Sequence, residues 1–287
     1  MKTHAEILKL STEYLAKHRI SSPRREAEEL LCDALGIERI ALYTQFDRPL
    51  AEKELQTCRD RLARRIKGEP RQYIHGEVEF YGCRIKVTPA VLIPRQETEI
   101  LVDKVYKELS TKVLEDSLAG SSALVDLCCG SGCIGIALKK KFPSLKVILS
   151  DISAEALAVA KENAALNEVS VEFLQGDLCK PLEGCKAQFV ICNPPYISEG
   201  EFMQLDREVR DFEPRTALVG GKSGLEFYER LSKELLGIMA PGGKVWFEIG
   251  MGQGGAIKEL FEISGWKNCK VEHDWGNRDR FFLAALS

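Results

Sequence analysis

Short apolar runs and stretches with helical spacing alternate along the second half of the chain, and this alternation constrains the fold more than any other feature of the sequence. Apolar runs of this length are typical of buried strands. Because a helix between two strands carries the chain back across the sheet, the order predicts a doubly wound α/β sheet. The predicted strands are Ala123 to Cys128, Val147 to Ser150, Val171 to Leu174, Phe189 to Cys192 and Lys244 to Ile249, and the predicted helices follow Gly132 and Ser153 and run from Leu225 to Met239.

The last two apolar segments break this alternation. Lys270 to Glu272 and Arg280 to Ala285 lie close together, and no helical pattern separates them. A connection this short cannot cross the sheet to a parallel strand, so we expect an antiparallel pair at the sheet edge.

The first 70 residues carry helical spacing instead. Thr3 and Glu6 form a capping box ahead of the first apolar set, and Ser22-Pro23 begins a second helix that Gly36 ends. A third long helical pattern follows Pro49. We therefore predict a small helical bundle.

Between the bundle and the sheet the periodicity changes. From Tyr73 to Val87 the chain alternates, with Gly76 and Gly82 as breaks, which predicts a β-hairpin. A helix from Glu97 to Leu109 is expected to follow. The 287 residues are thus expected to form a helical domain at 1–70, a β-hairpin linker at 71–95 and an α/β domain at 96–287.

Charge is divided unevenly between these parts. Residues 1–75 carry 15 Lys+Arg against 12 Asp+Glu, net +3, whereas the rest of the chain carries 25 against 31, net −6. Neither value indicates a protein that coats nucleic acid. The basic run from Arg59 to Arg71 is interpreted as a solvated helix face, with docking of an acidic protein or RNA as the alternative.

Composition also bears on the compartment. The sequence lacks a signal-peptide pattern and any apolar stretch of about 20 residues, so we expect a cytoplasmic protein that does not enter a membrane. Its ten cysteines are therefore expected to be reduced thiols. Cys128, Cys129 and Cys133 lie close together, but without a nearby His or a second CxxC we expect no metal there.

A glycine loop, Asp126 to Gly132, follows the first predicted strand and opens a helix. Gly130 and Gly132 let the backbone turn sharply and approach a ligand closely. Asp151 ends the second strand, 21 residues after Gly130, where its carboxylate can accept hydrogen bonds from ribose hydroxyls. An adenosine site is predicted, although Gly130 to Gly135 also fits the GxGxxG pattern of a nicotinamide oxidoreductase.

Asn193-Pro194-Pro195-Tyr196 follows the strand that ends at Cys192. An amide or aromatic NH2 group is a poor nucleophile because its lone pair is delocalised. The Asn193 side-chain oxygen and the Pro194 carbonyl can accept hydrogen bonds from both N–H groups, and the Tyr196 ring can stack on the amine plane. The alternative is a Pro-rich turn without chemistry.

Several polar residues fall at or just beyond the carboxyl ends of predicted strands. In a doubly wound sheet a ligand lies at these ends, near the switch in strand order. A single crevice can therefore hold the adenosine and the amine, which favours a methyl donor over a dinucleotide. For Asp177 a turn-capping role is an equal alternative, and Leu178 is either core or a contact to an adenine ring. The converging residues are Asp126, Asp151, Asp177 and Asn193.

Taken together, these motifs resemble those of the PrmC (HemK) glutamine methyltransferases. The resemblance covers nearly the whole chain and is far more specific than any one motif. The family usually has Gly-Thr where Cys128-Cys129 stand and Pro where Gln96 stands. Besides the glycine loop and Asn193 to Tyr196, it rests on Tyr73 to Gly82, Val91 to Glu99, Glu248-Ile249-Gly250 with Gln253, and Arg278-Asp279-Arg280.

The resemblance implies a seven-stranded S-adenosylmethionine-dependent methyltransferase fold. It also implies methylation of the glutamine side-chain amide in the Gly-Gly-Gln motif of class 1 peptide chain release factors. We separately predict that the helical domain recognises the protein substrate, because it is separate from the cofactor crevice and carries the basic run from Arg59 to Arg71. The expected catalytic residues are Asn193, Pro194 and Tyr196, and the expected substrate contacts are Asn193, Pro194, Pro195 and Tyr196. The expected S-adenosylmethionine contacts are Asp126, Cys128, Cys129, Gly130, Ser131, Gly132, Asp151, Asp177, Leu178 and Asn193.

Three other functions remain open from the residues. Methylation of the exocyclic amine of adenine in nucleic acid needs the same amine site, but it also needs a basic channel for phosphates, and the net −6 of the catalytic part argues against stable nucleic-acid binding. The second is the nicotinamide oxidoreductase. The third is a non-enzymatic adenosine-binding adaptor.

Overall fold

The computed structural model describes residues 2–114 and 123–287, and its contacts divide the chain into two units. The first unit comprises Met1–Gly76 together with Arg207–Phe212, and the second comprises Glu77–Asp206 and Glu213–Ser287. Within the described ranges, every helix is too short or too polar to cross a membrane.

The first unit is a helical bundle, as predicted. Its capping box is confirmed, because the Thr3 hydroxyl accepts a hydrogen bond from the Glu6 amide at 3.3 Å and the Thr3 amide donates to the Glu6 carboxylate at 2.9 Å. Leu15 and Leu31 are completely buried in its core. The helices are α1 (His4–Lys17), α2 (Pro23–Leu35), α3 (Arg39–Thr44), α4 (Glu52–Ile66) and α5 (Arg71–His75).

The predicted hairpin is wrong at its start. Tyr73 and Ile74 lie in the short helix α5, and Gly76, with φ +87°, ends that helix rather than breaking a strand. Both side chains are buried. Five residues are too few to show whether the pattern is helical or alternating. Because the neighbouring side chains of Tyr73 and Ile74 are both buried, tertiary packing rather than the local pattern selects the helix.

The basic run of this unit is largely neutralised by carboxylates of the same unit. Arg65 is buried, with ion pairs to Glu26 at 2.7 Å and Glu208 at 2.5 Å. This pairing leaves little free positive charge for a docking surface. The other pairs are Arg59 with Glu52, Arg61 with Asp33, Arg64 with Glu69 and Arg71 with Glu29.

The second unit is built on a large sheet, with one β-hairpin, one short parallel strand pair and several helices besides it. Its strands are β1 (Glu77–Phe80), β2 (Cys83–Lys86), β3 (Ala123–Leu127), β4 (Lys146–Asp151), β5 (Glu172–Gln175), β6 (Ala187–Cys192), β7 (Ile197–Ser198), β8 (Val219–Gly221), β9 (Met239–Glu248), β10 (Lys267–His273) and β11 (Asp279–Ala285). Its helices are α6 (Gln96–Leu114), α7 (Cys133–Lys141), α8 (Ala154–Leu166), α9 (Glu199–Phe202), α11 (Arg215–Leu218), α12 (Glu226–Glu234) and α13 (Gly254–Ile263), while α10 (Arg207–Phe212) groups with the helical bundle.

The large sheet confirms the predicted fold class. It has seven strands in the order β10-β11-β9-β6-β3-β4-β5. The pairs from β9 to β5 are parallel, and β11 pairs antiparallel with both β10 and β9. The chain therefore winds outward from β3 in one direction through β4 and β5, and in the other through β6 and β9. This arrangement creates a switch in strand order between β3 and β6, where a ligand crevice is expected.

The boundaries around β9 differ from the prediction. The helix expected to reach Met239 ends at Glu234, and a 3₁₀ turn, Leu235–Gly237, leads into β9. Met239 instead pairs with Ala187 of β6. The apolar residues here satisfy a helical pattern, but the Pro-Gly-Gly that follows cannot continue a helix.

Candidate active site

A cavity of about 400 Å³ lies at the carboxyl ends of the parallel strands, where the strand order switches. Ligand sites of small molecules span about 300–1,000 Å³, so this cavity is of a suitable size for a cofactor. All of its lining residues belong to the second unit.

Most of the predicted site residues meet at this cavity. Asp126, Gly132, Pro194 and Tyr196 do not line it. The predicted residues that line it are Cys128, Cys129, Gly130, Ser131, Asp151, Asp177, Leu178, Asn193 and Pro195.

The two loop glycines serve different purposes. Gly130 has φ +52°, and a Cβ at this position finds no described atom within 4 Å. Gly132 has φ +76°, and a Cβ there lies 3.0 Å from a methyl group of Leu149 and 3.1 Å from Ala160, so this glycine permits close packing. Cys128 also has a left-handed backbone, with φ +57°, which a non-glycine residue adopts at a cost in energy.

Asp151 ties the loop to the end of β4. Its Oδ2 accepts a hydrogen bond from the Gly130 amide at 2.8 Å, and its Oδ1 accepts one from the Ser153 amide at 2.9 Å. Burial raises the pKa of the carboxyl, although the amide hydrogen bonds favour its ionised form. Each carboxylate oxygen has two lone pairs, so Asp151 keeps acceptor capacity for ribose hydroxyls.

Asp126 lies under the loop rather than on the cavity wall. It is fully buried, and its Oδ2 accepts a hydrogen bond from the Gly135 amide at 2.8 Å. Its Oδ1 has no partner among the residues that the structure describes. Burial raises the pKa of this carboxyl to about 7. This placement gives Asp126 the role of holding the start of α7.

Asp177 is paired with two basic side chains. Its carboxylate accepts hydrogen bonds from Arg230 at 2.9 Å and from Lys180 at 2.8 Å, and these partners lower its pKa. Arg230 lines the cavity as well. The adjacent Leu178 is buried with φ +49°, which turns this apolar residue into the cavity wall.

The Asn-Pro-Pro-Tyr turn is held by residues from the carboxyl-terminal third of the chain. The Tyr196 hydroxyl donates to Glu248 Oε1 at 3.2 Å and accepts from Arg280 at 3.4 Å. Burial raises the pKa of Tyr196 far above its usual value, so the hydroxyl stays protonated. The Gln253 side chain donates to the Tyr196 carbonyl at 2.9 Å and accepts from the Gly250 amide at 2.9 Å.

Comparison with known proteins agrees with this geometry. The family models "PrmC N-terminal domain" and "Methyltransferase small domain" match residues 6–76 and 102–208. A release factor glutamine methyltransferase from Chlamydia trachomatis is 45% identical over 97% of this chain and 92% of its own length. One from Geobacter sulfurreducens is 37% identical over 97% of this chain and 95% of its own.

The chain belongs to the release factor glutamine methyltransferase family. Solved structures agree on the fold alone. A methyltransferase from Pyrococcus furiosus superposes with a TM-score of 0.51 at 20% identity, covering 71% of this chain and 89% of that one. The N-terminal domain of human METTL16 in complex with SAH has a TM-score of 0.51 at 19% identity, covering 72% of this chain and 76% of that one.

Sequence reasoning missed several residues of this family member's cavity. Ile152 follows Asp151 and is 63% exposed, so it offers an apolar surface beside the loop, and its place after a strand-ending Asp was a usable signal. Thr98 lines the cavity and donates to the buried Glu248, 150 positions away. No local pattern announces a contact between residues that distant in sequence.

Proposed function

We propose that this chain transfers a methyl group from S-adenosylmethionine to the side-chain amide nitrogen of the glutamine in the Gly-Gly-Gln motif of class 1 peptide chain release factors. The observation that carries this proposal is the meeting of the glycine loop and Asn193 at one cavity in a member of this family. We propose the cytoplasm, where translation takes place, as its compartment.

The cavity fits this cofactor chemically. Gly130 gives open space for close approach, Asp151 supplies a carboxylate for ribose hydroxyls, and Ile152 and Leu178 supply apolar surface for a purine ring. The Asp151 carboxyl also suits a positively charged ligand, whereas Asp177 is already paired with Arg230 and Lys180. When bound, S-adenosylmethionine supplies an electrophilic methyl group, and its sulfur retains the electron pair of the breaking S–C bond.

Asn193 and its neighbours would act on the glutamine amide. The Asn193 carboxamide lines the cavity, where its oxygen can accept one N–H of the substrate. The Pro194 carbonyl is the proposed acceptor for the other N–H; Pro194 itself does not line the cavity but stands between two residues that do, Asn193 and Pro195. Holding both hydrogens fixes the nitrogen in line with the methyl group, and such orientation contributes much of the rate in bimolecular reactions.

This chemistry needs no strong general base during attack. Once alkylated, the previously neutral nitrogen carries a positive charge and is acidic, so it can release a proton to water afterwards. Among the residues that the structure describes, no histidine lines the cavity. Of the carboxyl groups that line it, Asp151 accepts hydrogen bonds from backbone amides and Asp177 is paired with Arg230 and Lys180. These partners suit a reaction whose proton leaves after the new bond has formed.

Substrate recognition is proposed for the helical unit. All of the cavity residues belong to the second unit, so the helical unit is not needed to hold the cofactor. The ion pairs along α4 argue against simple electrostatic docking and favour recognition by shape and by apolar contact. Ile40 and Phe46, 64% and 59% exposed, are apolar side chains of this unit that could serve such contacts.

Methyl-labelled S-adenosylmethionine tests the proposal with three acceptors in parallel, namely a class 1 release factor, the same factor with its Gly-Gly-Gln glutamine changed to alanine, and DNA. Label is expected in the intact factor alone. Label in DNA would support the adenine alternative, and no label in any acceptor would overturn the enzymatic assignment.

The same assay tests Asn193. Asn193→Ala is expected to slow single-turnover methyl transfer about 100-fold, the size of effect seen when one positioned hydrogen-bonding group at a reaction centre is lost. Cofactor affinity should change much less, because the glycine loop and Asp151 remain. Near-normal turnover would return Asn193 to Tyr196 to the status of a structural turn.

A further inference from the structure

A buried carboxylate lies behind the proposed amide site. Glu248, the last residue of β9, is 1% exposed. Its Oε2 accepts a hydrogen bond from the Thr98 hydroxyl at 2.6 Å, and its Oε1 accepts one from the Tyr196 hydroxyl at 3.2 Å. The first distance is within the range of strong bonds between a hydroxyl and a carboxylate.

We propose that Glu248 and Thr98 are positioning residues that fix which way the Asn193 carboxamide faces. This inference rests on the proposed function, in which the Asn193 oxygen accepts an N–H of the substrate. Neither Glu248 nor Thr98 is proposed to contact the reacting atoms.

The direction of the hydrogen bonds carries the argument. A hydroxyl has one hydrogen, and Thr98 gives its hydrogen to Glu248, so towards Asn193 the Thr98 oxygen can only accept. The Asn193 Nδ2 lies 3.4 Å from that oxygen and donates to it. The carboxamide oxygen must then point away from Thr98.

A carboxamide needs such an external constraint. Its oxygen and nitrogen have almost the same size and shape, so packing alone does not choose between the two flipped orientations. In the wrong orientation Asn193 would present an NH2 group to the NH2 group of the substrate, and two donors cannot form a hydrogen bond. Burial raises the pKa of Glu248, whereas the Thr98 and Tyr196 hydroxyls and the charge of Arg280 favour its ionised form. Because both of its oxygens accept from hydroxyls, the carboxylate sets the donor direction from Glu248 through Thr98 to Asn193.

Two substitutions at Thr98 distinguish the effect of the hydroxyl on the rate from the effect of side-chain packing. Thr98→Val keeps the shape and removes the hydroxyl, whereas Thr98→Ser keeps the hydroxyl and removes a methyl group. In single-turnover transfer to a release factor, Thr98→Val is expected to be about 10-fold slower, matching the loss of roughly one hydrogen bond's orienting energy. Thr98→Ser should recover most of that rate.

Cofactor affinity and thermal stability are measured on the same proteins. If the hydroxyl orients Asn193, the rate constant at saturating substrate falls while the cofactor dissociation constant stays near that of the wild type. A purely structural role predicts instead that Thr98→Ser, with its smaller side chain, is impaired as much as Thr98→Val. Either that result or a wild-type rate in Thr98→Val overturns the inference.

A double-mutant cycle tests whether Glu248 acts through Thr98. The amide of Glu248→Gln can donate to the Thr98 oxygen. The Thr98 hydrogen is then free to bond the Asn193 carboxamide oxygen, which would flip the carboxamide. If both residues belong to one chain, the double variant Glu248→Gln with Thr98→Val should be no slower than the slower single variant. Fully additive losses in rate contradict the chain. If Glu248→Gln does not fold, the Thr98 pair alone decides.

The wild-type protein separates this inference from the proposed function. A wild type that transfers no label to any release factor overturns the function and the inference together. A wild type that is active and is matched in rate by Thr98→Val overturns the inference alone.

Discussion

Asp126 and Asp151 lie at the ends of neighbouring strands, and burial separates their roles. Asp151 is partly open to the cavity and has both oxygens on backbone amides, whereas Asp126 is fully buried with one oxygen bonded. The sequence placed both at strand ends. It could not show which one faces the ligand, because that depends on how α7 covers β3.

Asp151→Ala is expected to weaken S-adenosylmethionine binding by roughly 1–3 kcal/mol, the scale for leaving buried polar partners without a hydrogen bond. The loss of affinity has two sources, the missing ribose contact and the Gly130 amide that is left without its acceptor. Titration calorimetry measures it. Glu155→Ala removes the same charge from an exposed position four residues later and should leave the affinity unchanged. An unchanged affinity in folded Asp151→Ala contradicts the assignment.

Asp126 should make stability depend on pH. Its folded pKa is about 7 against an ordinary 3.8, because burial disfavours the charged form. The folded protein therefore keeps this proton where the unfolded chain has lost it. The stabilisation is complete below about pH 3.8 and is lost as the pH rises through about 7.

The variant Asp126→Asn keeps an acceptor for the Gly135 amide and cannot ionise. Its melting temperature should fall less than that of the wild type as the pH is raised from 4 to 8. Other titrating groups are common to both proteins and cancel in the comparison. Parallel pH profiles for the two proteins would show that Asp126 does not titrate in this range.

At the scale of elements, the strands and long helices were predictable and their short connections were not. Apolar runs of strand length identified β3, β4 and β6, whose residues are almost completely buried. The elements between Ile197 and Gly221 are two to six residues long, too short to show a period. Tertiary contacts decide them, such as the pairing of β7 with β8 beside the turn at Tyr196.

Gln253, at the start of α13, links this turn to the end of β9. Gln253→Ala removes its bonds to the Tyr196 carbonyl and the Gly250 amide, and it should lower the free energy of unfolding by about 1–3 kcal/mol. Gln253→Glu keeps an acceptor for Gly250 but places a carboxylate against the Tyr196 carbonyl, so methyl transfer should be slower than in the wild type. Urea unfolding and single-turnover rates measure both. Equal rates for wild type and Gln253→Glu contradict this role.

At the scale of the whole molecule, the two units differ in what they contain. The cavity belongs entirely to the unit of Glu77–Asp206 and Glu213–Ser287. The helical unit draws one helix, α10, from inside that sequence span, which periodicity along the chain could not reveal. The pairing of Arg65 with Glu208 joins residues 143 positions apart.

Deleting residues 1–76 tests the proposed division of labour between the units. Cofactor affinity should stay near that of the full chain, because every lining residue is retained. Methylation of a whole release factor should be lost, while a short Gly-Gly-Gln peptide should be modified by the truncated and full-length proteins at similar, low efficiency. Calorimetry and labelled-methyl transfer measure the two effects, with circular dichroism as the control for folding. Full activity of the truncated protein on the whole factor would contradict this division of labour. It would show that the helical unit makes no contact that substrate recognition requires, and the unit would then have another role.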